Sequence, residues 1–397
     1  MSTEPAPQQH AAPDLVAPGG LGHGTAPRDP KPRVVLLFGG RSGEHVISCA
    51  TAAGVMRAID RERFDVIPVG ITRQGQWVLA ADDPDLWAIR DGHLPEVAPA
   101  DNEVILPLAA DQRALRVLEP GELPRVLGAV DVVFPLLHGP FGEDGTVQGM
   151  LEMVDVRYVG AGVLASAVGM DKHFMKLVLA GQGLPVAPFT VIRPGEWPGR
   201  EKAWTESIAN LGLPVFVKPA RAGSSLGISK VTDLADLPAA IAEAQRHDPK
   251  VLVEAGVVGR EIECAVLGGR TGERARASLP VEIEVTDDAH GFYDFEAKYL
   301  SEQSVVLTCP ADLPQETIDE VRDIAVRTFE AVAGEGLSRV DVFVTGTGDV
   351  IVNEINTMPG FTPFSMYPRM WEASGLSYPE LITELIELAL ERSTGLR

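Results

Sequence analysis

Residues 338–361, SRVDVFVTGTGDVIVNEINTMPGF, carry the strongest chemical pattern in this 397-residue chain. Two alternating runs, 339–344 and 350–356, flank Gly346-Thr347-Gly348-Asp349, which predicts a β-hairpin. With the turn centred on Thr347-Gly348, paired positions sum to 695, so Asp341 faces Glu354 and Arg339 faces Asn356 on one side. Directly opposed Cβ atoms lie ~4.5–5.5 Å apart, close enough for two carboxylates to repel. A divalent cation removes that conflict, and Asp, Glu and Asn oxygens suit Mg²⁺. The other side would then carry Val340, Val342, Val344, Ile351 and Ile355, although a slip of one residue would exchange the faces.

A second pattern suits an anion. In PVFVKPARAGSSLGISKV, residues 214–231, Gly223 and Gly227 let backbone N–H groups approach a phosphate. Ser224 and Ser225 add hydroxyl donors, and Lys218 adds a point charge. A flexible solvated hairpin remains the alternative for this segment. There is no Walker A sequence, and Gly223–Gly227 also fits the GxSxG hydrolase pattern. That pattern must join a strand to a helix, whereas the β-branched residues that follow here predict a second strand. Gly160-Ala161-Gly162 fits a loose dinucleotide fingerprint, but the next strand-like run, 189–192, ends in Arg193-Pro194 and not in an acidic residue. Three further places are open to two readings. His138 ends an apolar strand and is either ligand-facing or structural. Glu44 either meets a substrate cation or sits in solvent. Lys298 and Tyr299 lie in a loop-like stretch that could close over a site.

These groups need a scaffold. VVLLF (34–38) reads as a buried parallel strand, followed by a helix over 48–59 with Ser48 as N-cap. Residues 64–71 and 131–137 are further strands, so this half predicts an open α/β sheet. The stretch 82–128, rich in Pro and Asp, shows no clear order. Helices are predicted over 170–180 and 234–247, and a strand-rich last unit opens near Val251 with helices at 315–333 and 378–391. Residues 1–32 hold seven prolines and almost no large apolar side chain, the composition of a disordered tail. A formal charge of −22 argues against nucleic acid and anionic membrane as partners, so any anion site must be local. No apolar run approaches the ~18–20 residues of a spanning helix. Three scattered cysteines with no CxxC pair argue against a disulfide framework or zinc knuckle and favour a reducing compartment.

Together, GGRSGEHVIS, LLHGPFGEDG, GMDKHFMK, VKPARAGSSLG, VEAGVVGREIECAVLG, FYDFEAKYL, SRVDVF and VNEINTMPGFTPFSMYP follow the order and spacing of the D-alanine–D-alanine ligases, and the chain resembles that family over about residues 33–392. The resemblance implies an ATP-grasp fold, of α/β and α+β character, with an N-terminal α/β domain. The implied division is a tail at 1–32, a substrate domain at 33–165, a central subdomain at 166–250 and a metal-bearing subdomain at 251–397, the ATP-grasp region spanning about 175–388. Glu44 would hold the ammonium of the first D-alanine, with Ser224 and Tyr299 bonded to it and His138 nearby. Lys172 and Lys218 would contact ATP phosphates, with Ser225 in the same loop, and Lys298 would approach the γ-phosphate. Glu254 and the backbone of Ala255 and Val257 would hold adenine, and Glu261 the ribose. Asp341, Glu354 and Asn356 would bind two Mg²⁺ ions, with Mn²⁺ as a substitute. Arg339 and the Gly360 N–H would stabilise an oxyanion, and Ser365 and Met366 would receive the second D-alanine. Many members carry a second glutamate where this chain has Val46.

The resemblance further implies a cytoplasmic homodimer making D-alanyl-D-alanine for peptidoglycan precursors, with no nucleic-acid or membrane partner. A ligase that makes the D-alanine–D-lactate ester or joins other amino acids, and a non-catalytic nucleotide-binding protein, are the alternatives.

Overall fold

The computed structural model describes residues 31–394, apart from 91, 108, 110, 111, 113, 224 and 286–304. Ser224, Lys298 and Tyr299 therefore lie outside the described residues, as do residues 1–30 of the expected tail. Pro32, assigned to that tail, already belongs to the fold, since its carbonyl accepts from the Asp65 N–H (3.0 Å).

The first of three sheets is built on β1 (Arg33–Gly39), whose side chains are buried on both faces from Val34 onward. β1 pairs in parallel with β2 (Asp65–Ile71) and with β7 (Val132–Pro135), and β8 (Arg157–Tyr158) follows β7 in parallel. The stretch with no clear sequence order supplies β4 (Glu103–Ile105), β5 (Ala114–Leu118) and β6 (Arg125–Ala129). Together with β3 (Trp77–Leu79) they extend the sheet antiparallel beyond β2. Short half-buried strands such as ALRVL, in which only Leu115 and Val117 are buried, give a weak periodic signal.

The first helix, α1 (His45–Ala58), begins three residues before Ser48. Ser48 does not cap it. Its hydroxyl accepts from the Gly39 N–H (2.8 Å) and donates to the Leu136 carbonyl, tying helix, β1 and the chain after β7 together. A single turn, α2 (Pro84–Trp87), is capped by Asp83, and α3 (Thr146–Met153) leads into β8. Gly160-Ala161-Gly162 then joins β8 to α4 (Val163–Met170). The predicted 170–180 helix is a separate element, α5 (Lys172–Gly181), started by the Asp171 carboxylate accepting from the His173 and Phe174 N–H groups.

The second sheet is antiparallel, in the order β11 (Ser229–Val231), β10 (Val215–Pro219), β12 (Val251–Ala255), β9 (Phe189–Ile192). Because β9 lies here and not beside β8, Gly160–Ala165 sits in no dinucleotide-binding unit. The GxSxG loop joins two paired strands, as its residues predict. β12, expected to open the last unit, is instead an inner strand of this sheet. Ile208 of α6 (Glu201–Ala209) and Leu237 and Ile241 of α7 (Leu237–Gln245) cover one face.

The third sheet runs β16 (Val305–Thr308), β15 (Val281–Val285), β13 (Gly259–Leu267), β17 (Leu337–Thr345), β18 (Val350–Asn356), with β14 (Arg276–Ala277) on β13. α8 (Gln315–Ala331) buries Val321, Ala325 and Phe329 against it. The chain then returns to the first sheet. α9 (Met366–Ala373) and α10 (Tyr378–Glu391) share a core cluster with Val34, Leu36, Phe38 and Phe134. Among the described residues no helix is long and apolar enough to cross a membrane. All three cysteines are unpaired, Cys49 and Cys264 buried and Cys309 half-buried.

Candidate active site

The hairpin β17–β18 brings the expected oxygen donors together. Arg339 pairs with Asn356 and Asp341 with Glu354, as anticipated, but the path to that register differs. From the turn to Val342 the pairs sum to 694, and a bulge between Asp341 and Val342 restores the expected pairing beyond it. The extra residue is Asn353. It reverses face parity on the turn side, so Ile351 lies opposite Phe343 on the site face, and Val350, Val352 and Ile355 form the buried side.

β13 continues the row, since Glu263 pairs with Asp341 from the other side. Arg339 answers this charge: its Nε and Nη2 donate to the two oxygens of Asp341 (both 2.7 Å), and Nε lies 3.2 Å from Glu263. Burial opposes the guanidinium charge, but Asp341 and Glu263 outweigh it and raise its pKa well above the usual value. The Asn356 amide donates to Asp341 (3.0 Å). Asp341, Glu354 and Asn356 are all hard oxygen donors on one strand pair, the donor chemistry that a small divalent cation takes. Arg339 pairs with Asp341 and Lys172 with Glu354, so each of these carboxylates already faces a cationic nitrogen. Among the described residues no three His, Cys, Asp or Glu side chains converge as a metal cluster.

Opposite stands a row of lysines. Lys172 and Lys176, one helical turn apart, share a face of α5. Lys172 Nζ meets Glu354 (3.1 Å) and the Ala222 carbonyl (3.0 Å), fastening the glycine-serine loop to the helix. Lys218 pairs with Glu254 and reaches Asn353 (3.4 Å). In that loop Ser225 has φ +56° and Gly227 φ +72°. A Cβ at Gly227 would come within 2.4 Å of the His247 ring, so only glycine fits there. Lys218, Ser225, Glu254, Ala255, Val257 and Glu261 line one cavity of about 490 Å³ together with Asp341 and Glu354. It lies between the second and third sheets. The Glu254 carboxylate is engaged by Lys218 and Lys176, and the lysines hold it ionised against burial, at about 2. The Ala255 N–H is likewise engaged, by the Pro188 carbonyl (2.9 Å). A second cleft, of about 570 Å³, is lined by Arg270, Arg274 and Arg392, each paired to glutamates, and contains none of the expected residues.

Glu44, at the N-terminus of α1, lies between two glycine turns. A Cβ on Gly139 would sit 3.1 Å from its Oε2, and one on Gly223 would sit 3.7 Å from Oε1. His138 is nearby but buried, and both its nitrogens are engaged: Nδ1 with the Met358 carbonyl (3.1 Å) and Nε2 with Thr51 Oγ1 (3.2 Å). A carbonyl only accepts, so Nδ1 carries the proton and Nε2 accepts from the threonine. Burial lowers the imidazole pKa, which keeps it neutral. His138 therefore fastens the loop after β18 to α1 and has no ring nitrogen left for a substrate. That loop carries Gly360. It is anchored by Phe361, fully buried against Phe134 (5.8 Å between rings), and by Tyr378 Oη donating to the Phe361 carbonyl (2.8 Å). Ser365 is the N-cap of α9, but its hydroxyl pairs with Thr362 (2.8 Å) and caps no helical N–H. Met366 follows as the first helical residue. Val46 is half-buried in the first turn of α1.

Sequence reasoning missed Glu143, Lys176, Glu263 and Asn353. Glu143 accepts from the Gly139 N–H (3.0 Å), and burial, reinforced by Glu44, pushes its carboxyl up to about 8. Between pH 4.5 and 8 the unfolded chain ionises this group while the folded chain keeps it protonated, so its contribution to stability declines as pH rises. Glu143→Gln keeps the acceptor and removes that dependence. Its melting temperature relative to wild type is expected to gain on the order of 2–4 °C between pH 5 and pH 8. An identical difference at both pH values would refute the assignment.

Two family models match the chain: the D-ala D-ala ligase N-terminus over residues 33–161 and the D-ala D-ala ligase C-terminus over residues 178–387. The chain belongs to the D-alanine–D-alanine ligase family. The D-alanine–D-alanine ligase of Pseudarthrobacter chlorophenolicus is 60% identical over 368 residues, covering 93% of this chain and 96% of that protein. The corresponding ligase of Streptomyces avermitilis is 57% identical, over 92% and 96%. Among solved structures, the VanG D-Ala:D-Ser ligase of Enterococcus faecalis superposes with a TM-score of 0.77 at 34% identity, covering 91% of this chain and all of that one. The D-alanine–D-alanine ligase of Coxiella burnetii gives 0.75 at 34%, over 91% and 94%. As a member of the D-alanine–D-alanine ligase family the chain has the ATP-grasp fold, and its second and third sheets are the two jaws around the 490 Å³ cavity. The family's reaction forms a carbon–nitrogen bond with ATP and a divalent metal.

Proposed function

We propose that this chain joins two D-alanines into D-alanyl-D-alanine for peptidoglycan precursors, activating the first as an acyl phosphate with ATP. The observation that carries this reading is the position of Glu44. Its carboxylate stands between the Gly139 turn and the Gly223 loop, a site for an amino acid's ammonium beside the phosphate-binding loop. On this reading residues 33–165 hold the first amino acid, and the two later sheets grip the nucleotide.

Lys172 and Lys218 take the phosphates, with Ser225 in the loop between them. Glu261 takes the ribose, and the backbone around Glu254 to Val257 takes adenine. Asp341, Glu354 and Asn356 would hold two Mg²⁺ ions, or Mn²⁺; bound there, the cations neutralise triphosphate charge. The carboxylate of the first alanine attacks the γ-phosphate, the lysines orient the triphosphate, and ADP leaves. The amine of the second alanine then attacks the acyl carbon. Its carboxylate is received at the N-terminus of α9, where Ser365 and Met366 lie and N–H groups are uncapped. Arg339 and the Gly360 N–H face the oxyanion, which collapses as phosphate departs. An acyl phosphate must be kept from water, and Lys298 and Tyr299 belong to the covering segment of this reading. The setting is the cytoplasm, and the assembly a homodimer.

Phosphate release from ATP and Mg²⁺ that depends on D-alanine and yields dipeptide tests the proposal. Release with D-lactate or D-serine as the preferred second substrate would overturn it. The same assay tests Tyr299, whose phenol in this reading joins Glu44 and Ser224. Tyr299→Phe removes a donor worth about 1–3 kcal/mol where its partner is left unsatisfied, so the share of ester formed in competition with D-lactate is expected to rise about ten- to a hundredfold. An unchanged product ratio would remove Tyr299 from the selectivity of the second step.

A further inference from the structure

Lys176 is among the most buried side chains of the protein, at 1% exposure, and it does not line the nucleotide cavity. An isosteric apolar residue would fill its space at lower cost, because an ammonium removed from water is costly unless it is well paired. Its partner is Glu254, itself 4% exposed: Lys176 Nζ lies 2.9 Å from Oε2 while Lys218 holds Oε1. Two ammonium groups thus share one carboxylate. Only Lys218 also reaches the cavity, where it lies 3.4 Å from Asn353 Oδ1.

We infer that Lys176 is a positioning residue for nucleotide binding: by satisfying half of the Glu254 carboxylate it leaves Lys218 a net positive charge to offer the triphosphate. The inference rests on the reading of Lys218 as a phosphate ligand. With Glu254 and Lys218 alone, the pair would be neutral and closed, and phosphate would have to compete with a buried carboxylate for the same ammonium. With Lys176 present, the three side chains carry one positive charge beyond neutrality, placed at the cavity wall. α5 provides this geometry because Lys176 follows Lys172 by one turn, so one helix sets both the lysine at Glu354 and the lysine behind Glu254.

The test is a charge-balance cycle. Lys176→Met keeps the stem and removes the charge; KM for ATP is expected to rise about tenfold or more, with kcat and KM for D-alanine changing less than about threefold. Adding Glu254→Gln to it removes the competing negative charge, and KM for ATP should return to within about threefold of wild type. An unchanged KM for ATP in Lys176→Met, or a double variant as impaired as the single one, would overturn the inference, because a purely structural lysine is not rescued by deleting its partner's charge. If Lys176→Met does not fold, Lys176→Gln, which stays polar beside Glu254 but carries no charge, takes its place: its KM for ATP should rise about tenfold, and an unchanged KM would overturn the inference. Lys218→Met, measured beside these, separates the two readings. Normal ATP affinity there would overturn the phosphate role of Lys218 itself, whereas lost affinity there with a normal Lys176→Met overturns only the role given to Lys176.

Discussion

Glu354→Gln is expected to lower turnover by about 10²–10³-fold at ordinary Mg²⁺ while leaving the fold intact, since positioning and charge stabilisation supply most of phosphoryl-transfer catalysis. The substitution keeps size and hydrogen-bonding capacity but removes a charge that stands opposite Asp341 and meets Lys172 at 3.1 Å. Two effects add. The oxygen-donor set loses half of its carboxylate charge, and Lys172 loses its partner at the point where the glycine-serine loop is fastened. Part of the first effect should yield to excess Mg²⁺; the second should not. The measurement is kcat against Mg²⁺ concentration, and near-normal turnover at low Mg²⁺ would show that Glu354 does not belong to the site.

Arg339→Met should show the other large effect, on stability as well as on turnover. The guanidinium is the cation on both Asp341 and Glu263, and all three side chains are at most 14% exposed. Removing one member of a buried, hydrogen-bonded ion cluster costs about 3–5 kcal/mol, because the carboxylates left behind lose their compensation. The melting temperature should fall by several degrees. Saturating Mg²⁺ should recover part of that loss, since a cation can take the place of the guanidinium on Asp341. On the proposed reading turnover should not recover, because the oxyanion would still lack its donor. An unchanged melting temperature would mean that the two carboxylates find other partners, and would remove Arg339 from the electrostatic centre of the site.

Much of this was legible in the residues themselves. Strongly apolar runs such as VVLLF mark central strands. The hairpin is recognisable from its alternation and turn, and the glycines and serines of residues 223–227 announce a loop that must approach something closely. What escaped was set by contacts distant in sequence. Lys176 differs from any solvent-facing lysine only through Glu254, 78 positions away. The bulge at Asn353 did leave a trace, since the buried positions Val350, Val352 and Ile355 step by two and then by three. The expected register at Asp341 was correct, but from a misplaced turn whose error the bulge cancels. His138 was legible as special but not in its task, which depends on the Met358 carbonyl and on Thr51. The antiparallel edge of the first sheet escaped because its strands are short and only alternately covered.

The return of α9 and α10 to the first sheet has a consequence for how the chain must be made. Val34, Leu36, Phe38 and Phe134 share a core cluster with Phe361, Tyr367, Leu381 and Leu385, residues roughly 230–350 positions later. During synthesis the first sheet therefore emerges with α1 to cover this face but without the rest of its cover, and it must wait for nearly the whole polypeptide to leave the ribosome. Contacts of such long sequence separation slow folding and leave apolar surface open to wrong partners in the interval. The same arrangement makes the nascent N-terminal third a natural client for chaperones: a chain arrested before α9 would contain the whole β17–β18 hairpin and still leave Val34, Leu36, Phe38 and Phe134 without the cover of the last two helices.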